Sequence, residues 1–153
     1  MPQSAIQHLD REKLALAIRQ PWAELILRGI KTLEVRTLPT QARGPIYLYT
    51  SQKLSEDPAT VRAMKLHSLT AAELPLGVVV GTVEITGCRQ STPADAVAAC
   101  LSRELLADYG GFVWDLTNPQ RLAKPVRPRF LPYGIWFYPF RRKGNGGRMK
   151  DEG

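Results

Sequence analysis

Apolar residues recur along the chain with two different spacings, and the change of spacing predicts where strands and helices lie. The run LALAI at 14–18 is short and continuously apolar, which is typical of a buried strand. Apolar side chains then recur at helical spacing, at Trp22, Ile26 and Ile30. Pro21 suits the first turn of that helix, because this turn leaves its N–H groups unbonded, and Gly29 suits its end. We therefore expect a strand followed by a short helix.

Three later segments carry the β-branched and aromatic residues typical of strands. They are LEVR at 33–36, GPIYLYTS at 44–51 and GVVVGTVEITG at 77–87. Gly81 lies inside the last segment, where a glycine indicates a bulge or a bend. The residues from Ser55 to Pro58 predict the start of another helix between the last two strands.

A further helix is predicted at 93–107. Its capped start is formed by Thr92, Pro93 and Asp95. Its buried stripe is expected at Val97, Cys100, Leu101 and Leu105. We expect Cys100 to lie in the core, because a free cysteine usually packs as a small hydrophobic side chain.

The final third of the chain, 111–140, mixes aromatic and branched residues with frequent prolines. This density of proline excludes a long helix and favours short, bent strands at sheet edges. Together the segments predict an α+β fold. We expect about six strands curled into a small β-barrel, with two or three helices outside it.

The two ends of the chain are more polar than its middle. The chain has 153 residues, with 21 Lys and Arg against 14 Asp and Glu, a net charge of +7 and an isoelectric point near 9.7. Residues 141–153 carry five basic and two acidic residues and four glycines, so we expect a basic disordered tail. Residues 1–12 form a polar leader, and 13–140 form the single domain. The charge favours nucleic acid as a partner over an acidic membrane surface.

The two cysteines, Cys88 and Cys100, form neither a C-x-x-C motif nor a pair with nearby histidines. We therefore expect no disulfide framework, no metal site and no cofactor. The N-terminus lacks the apolar core of a signal peptide, and no apolar run approaches the length of a membrane span. The sequence indicates a cytoplasmic protein in a reducing compartment.

The octet GIKTLEVR at 29–36 places three charges in an otherwise apolar stretch. In a strand, Glu34 and Arg36 share one face, about 6.5 to 7 Å apart, and can pair. Lys31 is expected in the turn after Gly29, bent toward that face. Two interpretations are open. The charges either form an exposed strand face with weak ion pairs, or they build a cleft in which Glu34 holds the two cations toward an anion or a base edge.

The octet, together with the preceding QPW at 20–22, resembles the ASCH domain, the activating signal cointegrator homology family. The hallmark of that family is G-x-K-x-x-E-x-R after a Q-P-W helix, and this chain matches it at Gly29, Lys31, Glu34 and Arg36. The strand VVGTVEI and the closing GIWFYPF are also similar, so the resemblance spans about 13–140. It implies a PUA-like β-barrel, a cleft beside the first helix that the three charges would line, and a superfamily associated largely with RNA.

The first functional hypothesis is a nucleic-acid-binding module that prefers RNA to DNA. Its expected ligand contacts are Arg19, Gln20, Trp22, Lys31, Glu34, Arg36, Arg43, Ser51 and Lys53. The cations would contact phosphates, Glu34 would orient them and Gln20 would reach a base edge. Trp22 belongs either to the core or to the rim of the cleft, where its ring would stack on a base. A protein partner is left open.

The second hypothesis is a metal-independent hydrolase. Some small ASCH proteins are amidohydrolases of N-acetylated cytidine that use a lysine, a threonine and a later glutamate. Lys31 and Glu84 match two of these residues, but the threonine position is Glu34 here, so water would have to attack with Glu34 or Glu84 as base. Glu84 is expected to pair with Lys31 if its strand face turns inward. Ribonuclease activity is a third hypothesis, in which Lys31 and Arg36 stabilise a phosphorane.

Overall fold

One six-stranded sheet with three short helices makes up residues 9–141, the part of the chain that the computed structural model describes. The strands are β1 (Ala15–Ile18), β2 (Leu33–Arg36), β3 (Gly44–Thr50), β4 (Val79–Gln90), β5 (Phe112–Val126) and β6 (Trp136–Phe137). The helices are α1 (Trp22–Leu27), α2 (Ala59–Leu66) and α3 (Arg103–Tyr109), and single 3-10 turns lie at Ala71–Glu73 and Pro93–Asp95.

The strand order is β2-β5-β4-β3-β1-β6, and the mixed sheet curls strongly into a half-barrel. β1 and β3 run parallel, whereas every other pair among the described strands is antiparallel. The predicted α+β class, with six strands and flanking helices, is confirmed. The predicted irregularity at Gly81 is also present, because the register shifts there on both sides of β4. A Cβ atom on Gly81 would lie 2.3 Å from the Gln120 carbonyl oxygen, so only glycine fits this close strand approach.

The main hydrophobic core joins α1 to the sheet. It includes Leu16, Leu25, Ile26, Leu48, Val83 and Ile85. Trp114 stacks on Trp136 within it, with ring centroids 5.8 Å apart. α1 therefore packs against several strands of the sheet, and this packing fixes the position at which the octet begins.

The early elements lie where the sequence predicts them. α1 begins after Pro21 and ends before Gly29, which has φ +77°. α2 begins after Pro58. Ile30, expected on the apolar stripe of α1, is instead exposed beyond the end of the helix.

The continuous helix predicted at 93–107 is wrong. The capping box between Thr92 and Asp95 is present, but it starts only a single 3-10 turn. Cys100 has φ +62°, a left-handed conformation that no helix interior accepts, and α3 begins afresh after its cap, Ser102. Val97, expected in the buried stripe, is 86% exposed.

The break has a physical cause in the octet. The carbonyl oxygen of Ala98 accepts the backbone N–H groups of Thr32 and Leu33, and that of Ala99 accepts the Lys31 ammonium. These carbonyls are thereby turned toward the start of β2 instead of toward the next helical turn. The side chain of Cys100 is nevertheless partly buried and packs against the core, where the sequence predicts it to lie.

The prediction of short edge strands in the final third is confirmed for the two-residue edge strand β6 and wrong for β5. β5 is 15 residues long and lies between β2 and β4. Pro119 is accommodated because the register with β4 shifts between Thr82 and Glu84, so the segment around Pro119 bulges out of the ladder. The irregular segment after β5 ends in the two-residue strand β6.

The predicted leader at 1–12 and tail at 141–153 fall largely outside the described residues. At their inner ends, Arg141 pairs with Glu12 at 2.7 Å. The boundaries of the domain at 13–140 stay a prediction. Of the helices found in 9–141, none has the length and apolar character needed to cross a lipid bilayer.

Candidate ligand-binding cleft

A cleft of about 790 Å³ opens where the parallel strands β1 and β3 end side by side. Ile18 and Arg19 line it from β1, and Tyr49 and Ser51 line it from β3. Parallel strands place their carboxyl ends at one edge, so the loops that leave them can diverge around a crevice. The cleft is completed by β2, by residues 55–57 before α2, by Tyr109 at the end of α3 and by the loop around 131–135.

Glu34 and Arg36 form the β2 wall of this cleft. The Glu34 carboxylate accepts a hydrogen bond from Arg36 Nε at 2.7 Å. Arg36 also donates to the Ala17 carbonyl oxygen at 3.3 Å, and its guanidinium lies 5.8 Å from the centre of the Trp114 ring. Arg36 is thus held by β1, β2 and β5 together, and its position is fixed before any ligand arrives.

Lys31 lies behind that wall and does not line the cleft. Its side chain is 5% exposed, and its ammonium donates to the Ala99 carbonyl oxygen at 2.9 Å. The same nitrogen lies 3.8 Å from the Glu34 carboxylate and 5.4 Å from the centre of the Trp22 ring. Burial lowers the pKa of Lys31, and the Glu34 carboxylate opposes this shift.

These contacts decide between the two interpretations of the octet. An exposed strand face is excluded, because Lys31 and Glu34 are both buried. The expectation that all three charges line the cleft needs correction, since only Glu34 and Arg36 reach it. Lys31 instead ties Glu34 to the segment that carries Ala99.

Three other residues that were expected to contact the ligand line the cleft, but they differ in how exposed they are. Arg19 is exposed at its rim, and Ser51 is half-buried in its wall. Trp22 lines the cleft but is mostly buried, so little of its ring is open to a ligand. Arg19 is therefore the cation in the wall most accessible to solvent.

Gln20 does not reach the cleft. Its side chain is 1% exposed, its oxygen accepts the Glu24 backbone N–H at 2.9 Å and its nitrogen donates to the Pro75 carbonyl oxygen at 3.2 Å. Both ends of the amide are thus used in fastening the first turn of α1 to the loop before β4. The expectation that Gln20 reads a base edge is therefore not supported by its position.

Arg43 and Lys53 are exposed and lie outside the cleft lining. Arg43 donates to the Thr40 and Ala42 carbonyl oxygens of its own loop. Glu84 is also outside the lining, and its carboxylate accepts a hydrogen bond from Asn118 at 3.0 Å. The expected Glu84 pair with Lys31 is not formed, because Lys31 is enclosed with Ala99 and Glu34.

Sequence reasoning missed an acidic corner of the cleft formed by Asp57 and Tyr109. The Tyr109 hydroxyl donates to Asp57 Oδ1, which also accepts the Ala59 N–H at the start of α2. Burial raises the pKa of Tyr109 to about 12, and the Asp57 carboxylate adds to the shift. The sequence around Asp57 indicates only a helix start, and none of its features pairs this residue with Tyr109, more than 50 residues later.

The lining is mixed in charge. Arg19 and Arg36 face three carboxylates, Glu34, Glu56 and Asp57. Such a surface suits a ligand that carries N–H and O–H donors, and it leaves a phosphate best placed near the exposed Arg19. Over the described stretch 9–141, no three His, Cys, Asp or Glu side chains converge as metal ligands do.

The chain is similar to known sequences and structures. A family model described as the ASCH domain matches residues 16–126. Activating signal cointegrator 1 of Mus musculus and that of Homo sapiens are each 29% identical to this chain over 115 residues, which are 71% of this chain and 19% of the relative. The chain thus spans about a fifth of the length of these curated relatives.

Solved structures share the fold. The crystal structure of ASCH from Zymomonas mobilis matches with a TM-score of 0.57 at 19% identity, over 88% of this chain and 91% of that chain. A mutant form of the same protein matches with a TM-score of 0.56 at 20% identity, over the same shares of the two chains. At these identities the likeness extends to the fold and no further.

Proposed function

Because the chain belongs to the ASCH domain family, we propose that its cleft binds one nucleotide of a single-stranded nucleic acid, with RNA preferred to DNA. The base and sugar enter the cleft, and the phosphate stays at the rim near Arg19. The observation that carries this proposal is the pre-set Glu34–Arg36 pair in a cleft of mixed charge beside the first helix.

The size and chemistry of the cleft support a nucleotide. A volume of about 790 Å³ lies in the range of pockets that enclose one small molecule, and it is far too small for a double helix. Carboxylate oxygens of Asp57 and Glu56 can accept N–H groups of a base or the ribose 2′-hydroxyl. Since DNA lacks that hydroxyl, this acceptor chemistry favours RNA.

The charge distribution supports a phosphate outside the cleft. Three carboxylates in the lining oppose an anion in the interior, whereas the exposed Arg19 at the rim attracts one. Arg36 remains available as a donor to a base edge or sugar, with Glu34 setting its direction. In this proposal Arg19 contacts the phosphate and Arg36 contacts the base or the sugar, so not every cation of the cleft binds phosphate.

The hydrolase alternative receives less support from the geometry. The Lys31 ammonium is enclosed behind the cleft, and Glu84 lies outside it. Thr32, the nearest hydroxyl in the octet, is exposed and absent from the cleft lining. The residues that the resemblance implies for amide hydrolysis are therefore not assembled around one substrate position.

A titration tests the proposal. Labelled single- and double-stranded RNA and DNA oligomers are titrated with the protein at two salt concentrations, and the RNA is examined for products afterwards. We expect single-stranded RNA to bind most tightly and to stay intact. Arg36→Ala should weaken binding by about 1.5–3 kcal/mol, the range for hydrogen bonds to charged groups.

Arg103→Ala is the matched control, because Arg103 is an exposed arginine outside the cleft lining. Equal affinities for Arg36→Ala and Arg103→Ala would refute a role of the cleft in binding. Turnover of the RNA that Glu34→Gln abolishes would instead establish a hydrolase.

A further inference from the structure

The segment after β5 differs in charge from the cleft it borders. Residues 124–141, which are the last residues of β5 and the segment after it, contain Lys124, Arg127, Arg129 and Arg141 and no acidic residue. Arg141 pairs with Glu12, but within the described chain Lys124, Arg127 and Arg129 form no ion pair. Cations without an ion-pair partner therefore precede, along the chain, the residues of 131–135 that line the cleft, whose own lining holds more carboxylates than arginines.

Residues 127–135 of this segment, which we term the rim loop, reach the mouth of the cleft. Leu131, Pro132, Gly134 and Ile135 line the cleft, and Tyr133 lies between Pro132 and Gly134 in the sequence but outside the lining itself. The side chains of Leu131 and Tyr133 are 63% and 75% exposed. Together with Ile135 they form a group of exposed apolar side chains, and such a group marks an interaction surface where a single exposed residue does not.

Backbone hydrogen bonds hold both ends of the rim loop. The N–H groups of Arg129 and Phe130 donate to the Pro139 carbonyl oxygen at 2.8 and 3.2 Å. At the other end, the Ile135 carbonyl oxygen accepts the Ala17 N–H of β1 at 2.8 Å. The exposed tip is thus supported by the same strand that forms one wall of the cleft.

We propose that the rim loop is a second subsite, which binds the nucleotide next to the one in the cleft. The base of this neighbour stacks on Tyr133, and its phosphates contact Arg127 and Arg129. This inference rests on the proposed function of the cleft. Stacking of a base on an exposed aromatic ring combined with cations along the backbone is how proteins bind single strands without reading their sequence.

The test measures how tightly each variant binds two ligands, a mononucleotide and an RNA hexamer. One is a ribonucleoside 5′-monophosphate, which fills the cleft alone, and the other is a labelled single-stranded hexamer. Tyr133→Ala should weaken hexamer binding about 5-fold or more and leave monophosphate binding unchanged. Tyr133→Phe keeps the ring and should bind the hexamer within about twofold of wild type. Val97→Ala is the control, because Val97 is a still more exposed apolar residue outside the cleft lining.

A salt titration tests the cations of the rim loop separately. Each phosphate contact contributes about 0.7 to the slope of log affinity against log salt for single strands. Replacing both Arg127 and Arg129 by alanine should therefore lower the hexamer slope by about 1.4. The slope for the monophosphate should not change.

The outcomes separate this inference from the proposed function. If Arg36→Ala weakens hexamer binding while Tyr133→Ala binds like Val97→Ala, the second subsite is refuted and the cleft proposal stands. If the wild type binds no hexamer, or if Arg36→Ala has no effect, the cleft proposal fails and the second subsite fails with it. Tyr133 is exposed, so thermal melting of Tyr133→Ala should match wild type and exclude unfolding as the cause.

Discussion

Replacing Lys31 by methionine removes the ammonium and keeps most of the volume of its side chain. The change deletes the hydrogen bond to the Ala99 carbonyl oxygen at 2.9 Å and the cation 3.8 Å from the Glu34 carboxylate. Both partners stay buried. Lys31→Met therefore measures what the buried charge contributes to the fold.

The expected loss of unfolding free energy is about 2 to 4 kcal/mol. A hydrogen bond to a charged group contributes about 1.5–3 kcal/mol, and a buried acceptor left unsatisfied carries its own penalty. Breaking a buried ion pair from one side costs about 3–5 kcal/mol when no other partner remains. Here Arg36 still bonds Glu34, so the electrostatic part should be smaller. Lys31→Ala also removes three methylene groups, at about 0.8 kcal/mol each, and should be worse.

Urea unfolding of wild type, Lys31→Met and Arg103→Ala measures these differences, provided that the dependence on urea is equal for all three. Arg103→Ala should change the unfolding free energy by less than about 0.5 kcal/mol, as a surface substitution does. A Lys31→Met protein as stable as the Arg103→Ala protein would refute a stabilising role for the buried charge. It would mean that desolvation of the ammonium cancels everything that its contacts contribute.

Two further expectations concern stability. The hydrogen bonds from Arg89 lower the pKa of Asp95 to about 2, below its usual 3.8, so this pair should stabilise the fold above about pH 4 and lose that effect as the pH falls toward 2. Asp95→Asn should flatten this acid limb in a pH series of urea unfolding, and parallel wild-type and variant profiles would contradict it. Gly111 has φ +82°, and an added Cβ would lie 2.4 Å from the Arg36 carbonyl oxygen. Gly111→Ala should therefore lower the unfolding free energy by about 1–3 kcal/mol, whereas Gly134→Ala, with open space around it, should change it little.

Much of the fold could be predicted because its signals are local. Pro21 and Gly29 bound α1, and the β-branched runs mark β2, β3 and the start of β4. The helix predicted at 93–107 failed because a distant residue overrides its local preference. Apolar spacing favours a helix there, but Lys31 and the start of β2 use the carbonyl groups that a helix would need.

The site could be predicted only in part, for a similar reason. Spacing in β2 places Glu34 and Arg36 on one face, and the structure brings them together. The spacing does not show that Lys31 turns away behind Glu34. A strand-to-helix turn is usually solvated, which makes Gln20 a plausible ligand contact, yet both ends of its amide are bonded. Asp57 precedes α2 and Tyr109 ends α3, so only the folded chain brings them together.

The two sides of the cleft beside the parallel strands β1 and β3 differ in how well they should tolerate substitutions. The β2 wall is tied through Glu34 and Arg36 to buried partners on several elements, so substitutions there also disturb the fold. The opposite side is built from the segments that leave the two parallel strands, with Arg19, Ser51 and Asp57 at or beyond the strand ends. Residues there can be exchanged without breaking a strand pair. Substitutions in these two connecting segments can therefore change the lining of the cleft without disturbing the contacts that hold the octet.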